Sequence, residues 1–74
     1  MGLNNRVQKY RWEKKWSEEQ LSRVSGVSRS AICKLENGVN QNPTAEVAFR
    51  LADALNVDVR ELFYYKGGKQ DHGG

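Results

Sequence analysis

Four side chains that can reach a partner share one face of a short predicted helix. They are Arg29, Ser30, Cys33 and Lys34, and the pairs 29/33 and 30/34 lie one helical turn apart. A guanidinium can donate two hydrogen bonds to a guanine edge, and an ammonium can bond a guanine or a phosphate. Ser30 is compatible with either contact. A helix face that is simply solvated is the alternative interpretation of the same residue types.

The sequence shows no set of residues arranged for catalysis or metal binding. No nucleophile lies in a pattern with a base and an acid, and no glycine-rich loop has the spacing that holds a phosphate. His72 has no companion ligand, so neither a metal site nor a cofactor is indicated. Cys33 is the single cysteine, which excludes an internal disulfide and favours a cytoplasmic location. A redox role for Cys33 is a weaker interpretation than the view that it is simply a small neutral residue. An enzyme is not expected.

Basic side chains are concentrated in the first half of the chain. The 74 residues carry a formal charge of +3. Residues 1–37 hold eight Lys or Arg and four Glu, whereas residues 38–74 hold four basic and five acidic side chains. This asymmetry favours a polyanion as partner, and a chance bias on a solvated surface is equally compatible with charge alone. No apolar run approaches the roughly 20 residues that a membrane span needs, so no membrane partner is expected.

Residues 17–38 are predicted to form two short helices joined by a tight turn. Ser17 opens the first helix and forms a possible capping box with Gln20. Gly26 permits the positive φ of a sharp turn, and Ser28 caps the second helix. The apolar residues at helical spacing, which are expected to face inward, are Leu21, Val24, Ile32 and Leu35.

Three further helices complete an all-α prediction without strands. Helix 1 is placed at residues 5–15, helix 4 between Thr44 and Asn56, and helix 5 after Asp58, with Glu61 completing a capping box. The apolar residues that share helix faces are Val7, Tyr10, Ala45, Ala48, Phe49, Leu51, Ala52, Leu55, Val59, Leu62 and Phe63. Residues 1–65 are therefore predicted to form one compact five-helix domain. Residues 66–74 lack an apolar anchor and are predicted to be a disordered tail.

In their order and spacing these motifs resemble the lambda-repressor-like helix-turn-helix proteins, the XRE-like class that includes phage Cro and repressors. The resemblance covers about residues 7–63. The matching motifs are Val7-x-x-Tyr10-Arg11, Ser17 with Leu21, Gly26-Val27-Ser28, Ile32, Leu35-Glu36-Asn37-Gly38, Asn42-Pro43-Thr44 and Asp58-x-x-Glu61-Leu62-Phe63. The resemblance implies that residues 29–36 form a recognition helix in the DNA major groove, with helix 2 across the backbone.

The resemblance also implies which residues contact DNA phosphates. Ser28 and Asn37 lie at the two ends of the recognition helix and would hold phosphates, Asn37 through its backbone N–H as much as its side chain. Arg23 and Lys14 are weaker phosphate candidates, for which a role in solubility is at least as compatible. Glu18 departs from the pattern, because phage members often have a phosphate-binding Gln there and a carboxylate repels phosphates. No phosphate contact is therefore assigned to Glu18.

Two structural features follow from the same resemblance. Arg11 and Glu36 match an ion pair of the family, which would join helix 1 to the end of the recognition helix and fix its angle. If buried, such a pair would be costly to break. Trp16 stands where a Leu usually packs, and we expect it in the core.

The combined prediction is a sequence-specific DNA-binding transcriptional regulator, by default a repressor, that acts as a homodimer on a near-palindromic site. One domain of this size makes few contacts, and specific binding typically uses two half-sites about 34 Å apart. Tyr64 and Tyr65 are the candidate dimer interface, with packing against helix 1 as the alternative. A restriction–modification controller, an antitoxin or a protein-interaction module of the same fold remains open. No small-molecule effector is indicated.

Overall fold

Five short helices and two very short strands make up residues 2–65, the part of the chain that the computed structural model describes. The elements follow in the order β1 (Leu3–Asn5), α1 (Val7–Glu13), α2 (Glu18–Ser25), α3 (Arg29–Glu36), α4 (Ala45–Leu55), α5 (Val59–Leu62) and β2 (Phe63–Tyr65). The predicted helical fold is confirmed, with α2 and α3 as the helix-turn-helix pair. The tail predicted at residues 66–74 lies outside the described residues.

The two strands were not predicted from the sequence. They pair antiparallel, with Leu3 opposite Tyr65 and Asn5 opposite Phe63. Each strand has three residues, too few for an alternation of apolar and polar residues to become visible. The prediction was therefore wrong in assigning Asn5 to helix 1 and Phe63 to helix 5. Both residues belong to this sheet.

The hydrophobic core takes side chains from every helix. Its buried members are Val7, Leu21, Val27, Ile32, Leu35, Leu51, Ala52, Leu55, Leu62 and Phe63. Burying one large apolar side chain contributes roughly 1.5–3 kcal/mol, so these residues are the main source of stability. Trp16, expected in the core, is half-buried and packs against its edge.

Two apolar residues expected to face the core are exposed. Val24 is 56% exposed and Phe49 is 58% exposed. On α2 the inward positions are Leu21 and Ser25, one turn apart, which leaves Val24 at the outer edge of the helix. On α4 the buried residues are Leu51, Ala52 and Leu55, and Phe49 lies at the edge of the face that they form. Ala45, at the start of the same helix, is also exposed.

Local hydrogen bonds set the turn between α2 and α3. The predicted capping box is present, because Ser17 Oγ accepts from the Gln20 N–H at 3.1 Å and Gln20 Oε1 accepts from the Ser17 N–H at 2.8 Å. Gly26 has a φ of 77°, a left-handed conformation that favours glycine. The buried Ser25 hydroxyl accepts from the Val27 N–H at 3.1 Å. A serine is thus accommodated inside because it satisfies a backbone group of the turn.

The second predicted capping box is only half-formed. Asp58 Oδ1 accepts from the Arg60 N–H at 2.8 Å and so caps α5. The Glu61 carboxylate does not complete the box, since its Oε1 accepts from the Tyr10 hydroxyl at 3.4 Å. In a helix of only four residues, Glu61 is directed toward a neighbouring element and links α5 to α1.

Candidate nucleic-acid interface

The outward side of α3 carries the residues predicted to contact bases. Ile32 and Leu35 are 0% and 1% exposed, so their side of the helix packs on the core. Helical geometry places the four predicted residues on the other side. This α3 face consists of Arg29, Ser30 and Lys34, which are exposed, and Cys33, which is half-buried. The structure therefore presents hydrogen-bond donors from one side of a single helix.

The residues that flank α3 are engaged within the protein. Ser28 Oγ accepts from the Ala31 N–H at 3.1 Å, and the serine hydroxyl keeps its own proton as a donor. The Asn37 N–H donates to the Cys33 carbonyl at 2.9 Å, and Asn37 Nδ2 donates to Cys33 Sγ at 3.2 Å. The backbone N–H of Asn37, predicted to serve a phosphate as much as the side chain, thus closes the last turn of the helix.

A buried ion pair fixes the carboxyl end of α3. Arg11 Nε and Nη2 each donate to a Glu36 carboxylate oxygen at 2.8 Å, and Arg11 Nη1 donates to the Trp16 carbonyl at 2.9 Å. The side chains of Arg11 and Glu36 are 9% and 1% exposed. The hydrogen-bonded Glu36 raises the pKa of Arg11, against the lowering effect of burial. The predicted pair is present, and it joins α1 to the last residue of α3.

Asn5 supports the same end of α3 and was missed as a positioning residue. Its Nδ2 donates to the Leu35 carbonyl at 3.0 Å, and its Oδ1 accepts from the Val7 N–H at 3.1 Å. One side chain thus caps α1 and holds a carbonyl at the end of α3. The sequence did contain a signal for this role, because Asn5 lies shortly before the first apolar position of helix 1 and asparagine favours helix starts.

The two predicted phosphate-binding cations lie on the surface outside the α3 face. Arg23 Nη2 is 3.3 Å from Glu19 Oε2, and the Arg23 side chain is 74% exposed. The Lys14 ammonium lies 5.3 Å from the centroid of the Trp16 ring. Exposed pairs of this kind contribute little in water, so both cations can exchange these contacts for a phosphate.

The two tyrosines predicted at a dimer interface have different surroundings. The Arg6 guanidinium lies 4.1 Å from the centroid of the Tyr64 ring, and Arg6 also donates to the Glu61 carbonyl at 2.7 Å. Tyr64 therefore contacts the residue that precedes α1, whereas Tyr65 is 71% exposed. Both tyrosines border a groove whose other apolar lining residues are Leu3, Pro43, Ala48, Val59 and Phe63.

Comparison with known proteins places this arrangement in a family. Residues 7–62 match the family described as helix-turn-helix. The chain belongs to the helix-turn-helix family. The transcriptional regulator SlrR of Bacillus subtilis (strain 168) is 39% identical over 57 residues, which cover 77% of this chain and 38% of SlrR. Control protein C.SmaI of Serratia marcescens is 35% identical over 71 residues, which cover 96% of this chain and 83% of C.SmaI.

Two solved helix-turn-helix structures share the fold. The restriction–modification controller protein C.AhdI from Aeromonas hydrophila has a TM-score of 0.71 and 36% identity, and the match covers 78% of this chain and 86% of C.AhdI. SinR, a master regulator for biofilm formation, was solved in complex with DNA. It has a TM-score of 0.72 and 29% identity, over 74% of this chain and 87% of that one. The family consists of XRE-like DNA-binding transcriptional regulators and not of enzymes.

One ion pair connects the two helices of the helix-turn-helix. Glu18 Oε1, at the start of α2, lies 3.8 Å from Arg29 Nε, at the start of α3. The Glu18 side chain is 24% exposed and that of Arg29 is 69% exposed. The carboxylate that departs from the phage pattern is therefore directed toward the α3 face.

Two kinds of feature are absent from residues 2–65, the part of the chain that the structure describes. No three His, Cys, Asp or Glu side chains there are grouped so that they could hold a metal ion. No helix in that range is long and apolar enough to cross a membrane.

Proposed function

We propose that this chain is a sequence-specific transcriptional regulator that acts as a repressor and binds a near-palindromic operator as a homodimer. The proposal places α3 in the major groove and α2 across the DNA backbone. The observation that carries it is the α3 face, whose donors are exposed opposite the buried Ile32 and Leu35. The structure of SinR in complex with DNA supports duplex DNA as the partner.

Each residue of the proposed interface has a role that follows from its chemistry and position. Arg29 lies at the amino end of α3 and is the proposed bidentate contact to a guanine. Lys34 bonds a guanine or a phosphate, while Ser30 and Cys33 contact neighbouring base edges. The proposed phosphate contacts are Ser28, the side chain of Asn37, Arg23 and Lys14. No cofactor, membrane or small-molecule effector enters the proposal, and its setting is the cytoplasm.

Selection from a random duplex library at physiological salt tests the proposal directly. We expect enrichment of a two-fold symmetric sequence whose half-sites are centred about 34 Å apart, one helical turn of DNA. Binding to such a duplex should weaken steeply with salt, by about 0.9 log unit per log unit of salt for each phosphate contact. Retention of duplexes without a shared motif would contradict sequence-specific regulation.

The proposed dimer uses the groove that Tyr65 borders, with a second copy of the chain as its occupant. The groove combines apolar residues from the two strands and from the helices α4 and α5. Tyrosine, which is exposed here at position 65, is enriched at protein interfaces. Tyr65→Ser is therefore expected to raise the dimer dissociation constant at least about tenfold. Sedimentation equilibrium over a range of protein concentrations measures this change.

Trp12→Ser is the matched control for this interface. Trp12 is 61% exposed and lies on α1, outside the groove. We expect the Trp12→Ser protein to remain dimeric. Tyr64 is not substituted in this test, because its ring also contacts Arg6 within the protomer. A Tyr65→Ser protein that stays dimeric at every concentration would reject this surface.

A small activator, such as a restriction–modification controller, is the second candidate function. The match covers 83% of C.SmaI and 86% of C.AhdI, so the likeness to these controllers extends over most of each. Transcription in vitro from a promoter carrying the selected site separates the two: a fall in transcript identifies a repressor and a rise identifies an activator.

The protein-interaction or antitoxin alternative has less support than the sequence suggested. The feature that favours it is a pair of carboxylates at the start of α2, Glu18 and Glu19, which would repel DNA phosphates. In the structure Glu18 is paired with Arg29, and Glu19 is paired with Arg23. The selection experiment described above also tests this alternative, since a protein-interaction module would enrich no duplex.

A further inference from the structure

Glu18 is much less exposed than the arginine with which it pairs. It is the first residue of α2, where the partial positive charge of the helix amino end favours a carboxylate. Its side chain is only 24% exposed. After the hydrogen-bonded Glu36, the charge of Glu18 also raises the pKa of the buried Arg11. The Glu18 carboxylate is thus largely buried, and its charge acts on the buried Arg11 as well as on the exposed Arg29.

Arg29, by contrast, occupies a position that its own helix does not favour. It is the first residue of α3, where the partial positive charge of the helix amino end repels a cation. Its side chain is 69% exposed, and without a partner it would be a mobile cation free to bind any phosphate. Glu18 is far less exposed than the Glu19 that pairs with Arg23, so its charge is less screened by water. It offsets this repulsion and biases where the guanidinium lies.

The pairing leaves the hydrogen-bond donors of Arg29 available. The contact joins Glu18 Oε1 to Arg29 Nε at 3.8 Å. At this distance the pair is ionic and not a hydrogen bond, so the guanidinium keeps its donors for a bidentate bond to guanine O6 and N7. The nearby carboxylate leaves those donors in place while it repels phosphate oxygens. The same pair therefore favours a base edge over the DNA backbone.

We propose that Glu18 is a specificity-determining positioning residue, which directs Arg29 to a base edge and keeps it from binding backbone phosphates. This inference rests on the proposed function, because it assigns Arg29 to a base contact. Glu18 itself contacts no base in this scheme. It acts by lowering the affinity for DNA of any sequence more than the affinity for the operator.

Glu18→Gln tests the inference, because glutamine keeps the size of the side chain and removes its charge. We expect its affinity for a random duplex to rise more than its affinity for the selected operator, so that the ratio of the two falls at least about fivefold. Fluorescence anisotropy with both duplexes, between about 50 and 200 mM salt, gives the affinities and the salt slopes.

Glu19→Gln is the matched control on the neighbouring residue. It removes the same charge from the same helix end and releases Arg23, a proposed phosphate contact. We expect it to raise both affinities by one common factor and to leave their ratio unchanged, since every duplex has phosphates. Equal effects of Glu18→Gln and Glu19→Gln on the ratio would show that only net charge matters and would overturn the inference.

The double variant Glu18→Gln with Arg29→Ala decides whether Glu18 acts through Arg29. The inference requires that Glu18→Gln no longer change the specificity ratio once Arg29 is absent. A change that persists overturns it. If the wild-type protein binds all duplexes equally, the proposed function fails. The restraint on Arg29 is then judged on random duplex alone, where Glu18→Gln must raise the affinity more in the wild-type background than in the Arg29→Ala background.

Discussion

Replacing Glu36 with alanine is expected to lower the free energy of unfolding by about 3–5 kcal/mol, because it leaves Arg11 as a buried charge without its partner. Glu36 is 1% exposed and accepts two hydrogen bonds of 2.8 Å from Arg11. The total stability of small domains is about 5–15 kcal/mol. Thermal denaturation should therefore show a melting temperature lower by about 12–40 °C.

Glu19→Ala is the control for this loss of a carboxylate. The Glu19 side chain is 67% exposed and pairs with Arg23 on the surface of α2, so its removal should change stability by less than about 0.5 kcal/mol. Glu36→Gln should fall between the two, since an amide can still accept a hydrogen bond from Arg11. Equal melting temperatures for Glu36→Ala and Glu19→Ala would contradict a stabilising buried pair.

The pKa of Arg11 determines how this difference depends on pH. Its partner Glu36 raises that pKa in the folded state, against the effect of burial. A raised pKa adds stability at all pH values below the ordinary arginine range, and this stability is lost only as the pH rises through the raised value. The protonation of Arg11 therefore contributes equally at neutral pH and at about pH 9.

The features that could be predicted from the sequence are those set by a few adjacent residues. The Ser17 capping box and the left-handed Gly26 depend on residues at most three apart, and both are present. The β1–β2 pairing depends instead on residues at opposite ends of the described chain, such as Leu3 and Tyr65. No local pattern specifies that contact, because the folded core brings the two segments together.

In the candidate interface, the sequence could not predict the direction of every side chain. The residues of α3 that face away from the core follow from helical periodicity once Ile32 and Leu35 are taken as buried. The direction of Glu18 does not follow, because it depends on how α2 packs against α3. Asn37 shows the same limit, since its backbone N–H is available or occupied depending on whether the last turn of α3 closes.

Arg29→Ala is expected to weaken binding to the selected operator by about 5- to 150-fold for each half-site, the loss associated with one bidentate contact to a guanine. The reduced affinity should come with relaxed selection at a single base position in each half-site. Repeating the library selection with the variant measures both effects. Because Arg29 is largely exposed, its melting temperature should stay close to that of the wild type.

Two further variants separate a base contact from a phosphate contact. Arg29→Lys keeps the charge but loses the bidentate fork, so it should lose discrimination at that position and retain affinity for random DNA. Arg23→Ala should weaken all duplexes alike and reduce the salt slope by about 0.9 for each half-site. If Arg29→Ala instead behaves like Arg23→Ala, Arg29 binds the backbone. The specificity of α3 would then have to come from Lys34 and Ser30, or from the shape of the operator.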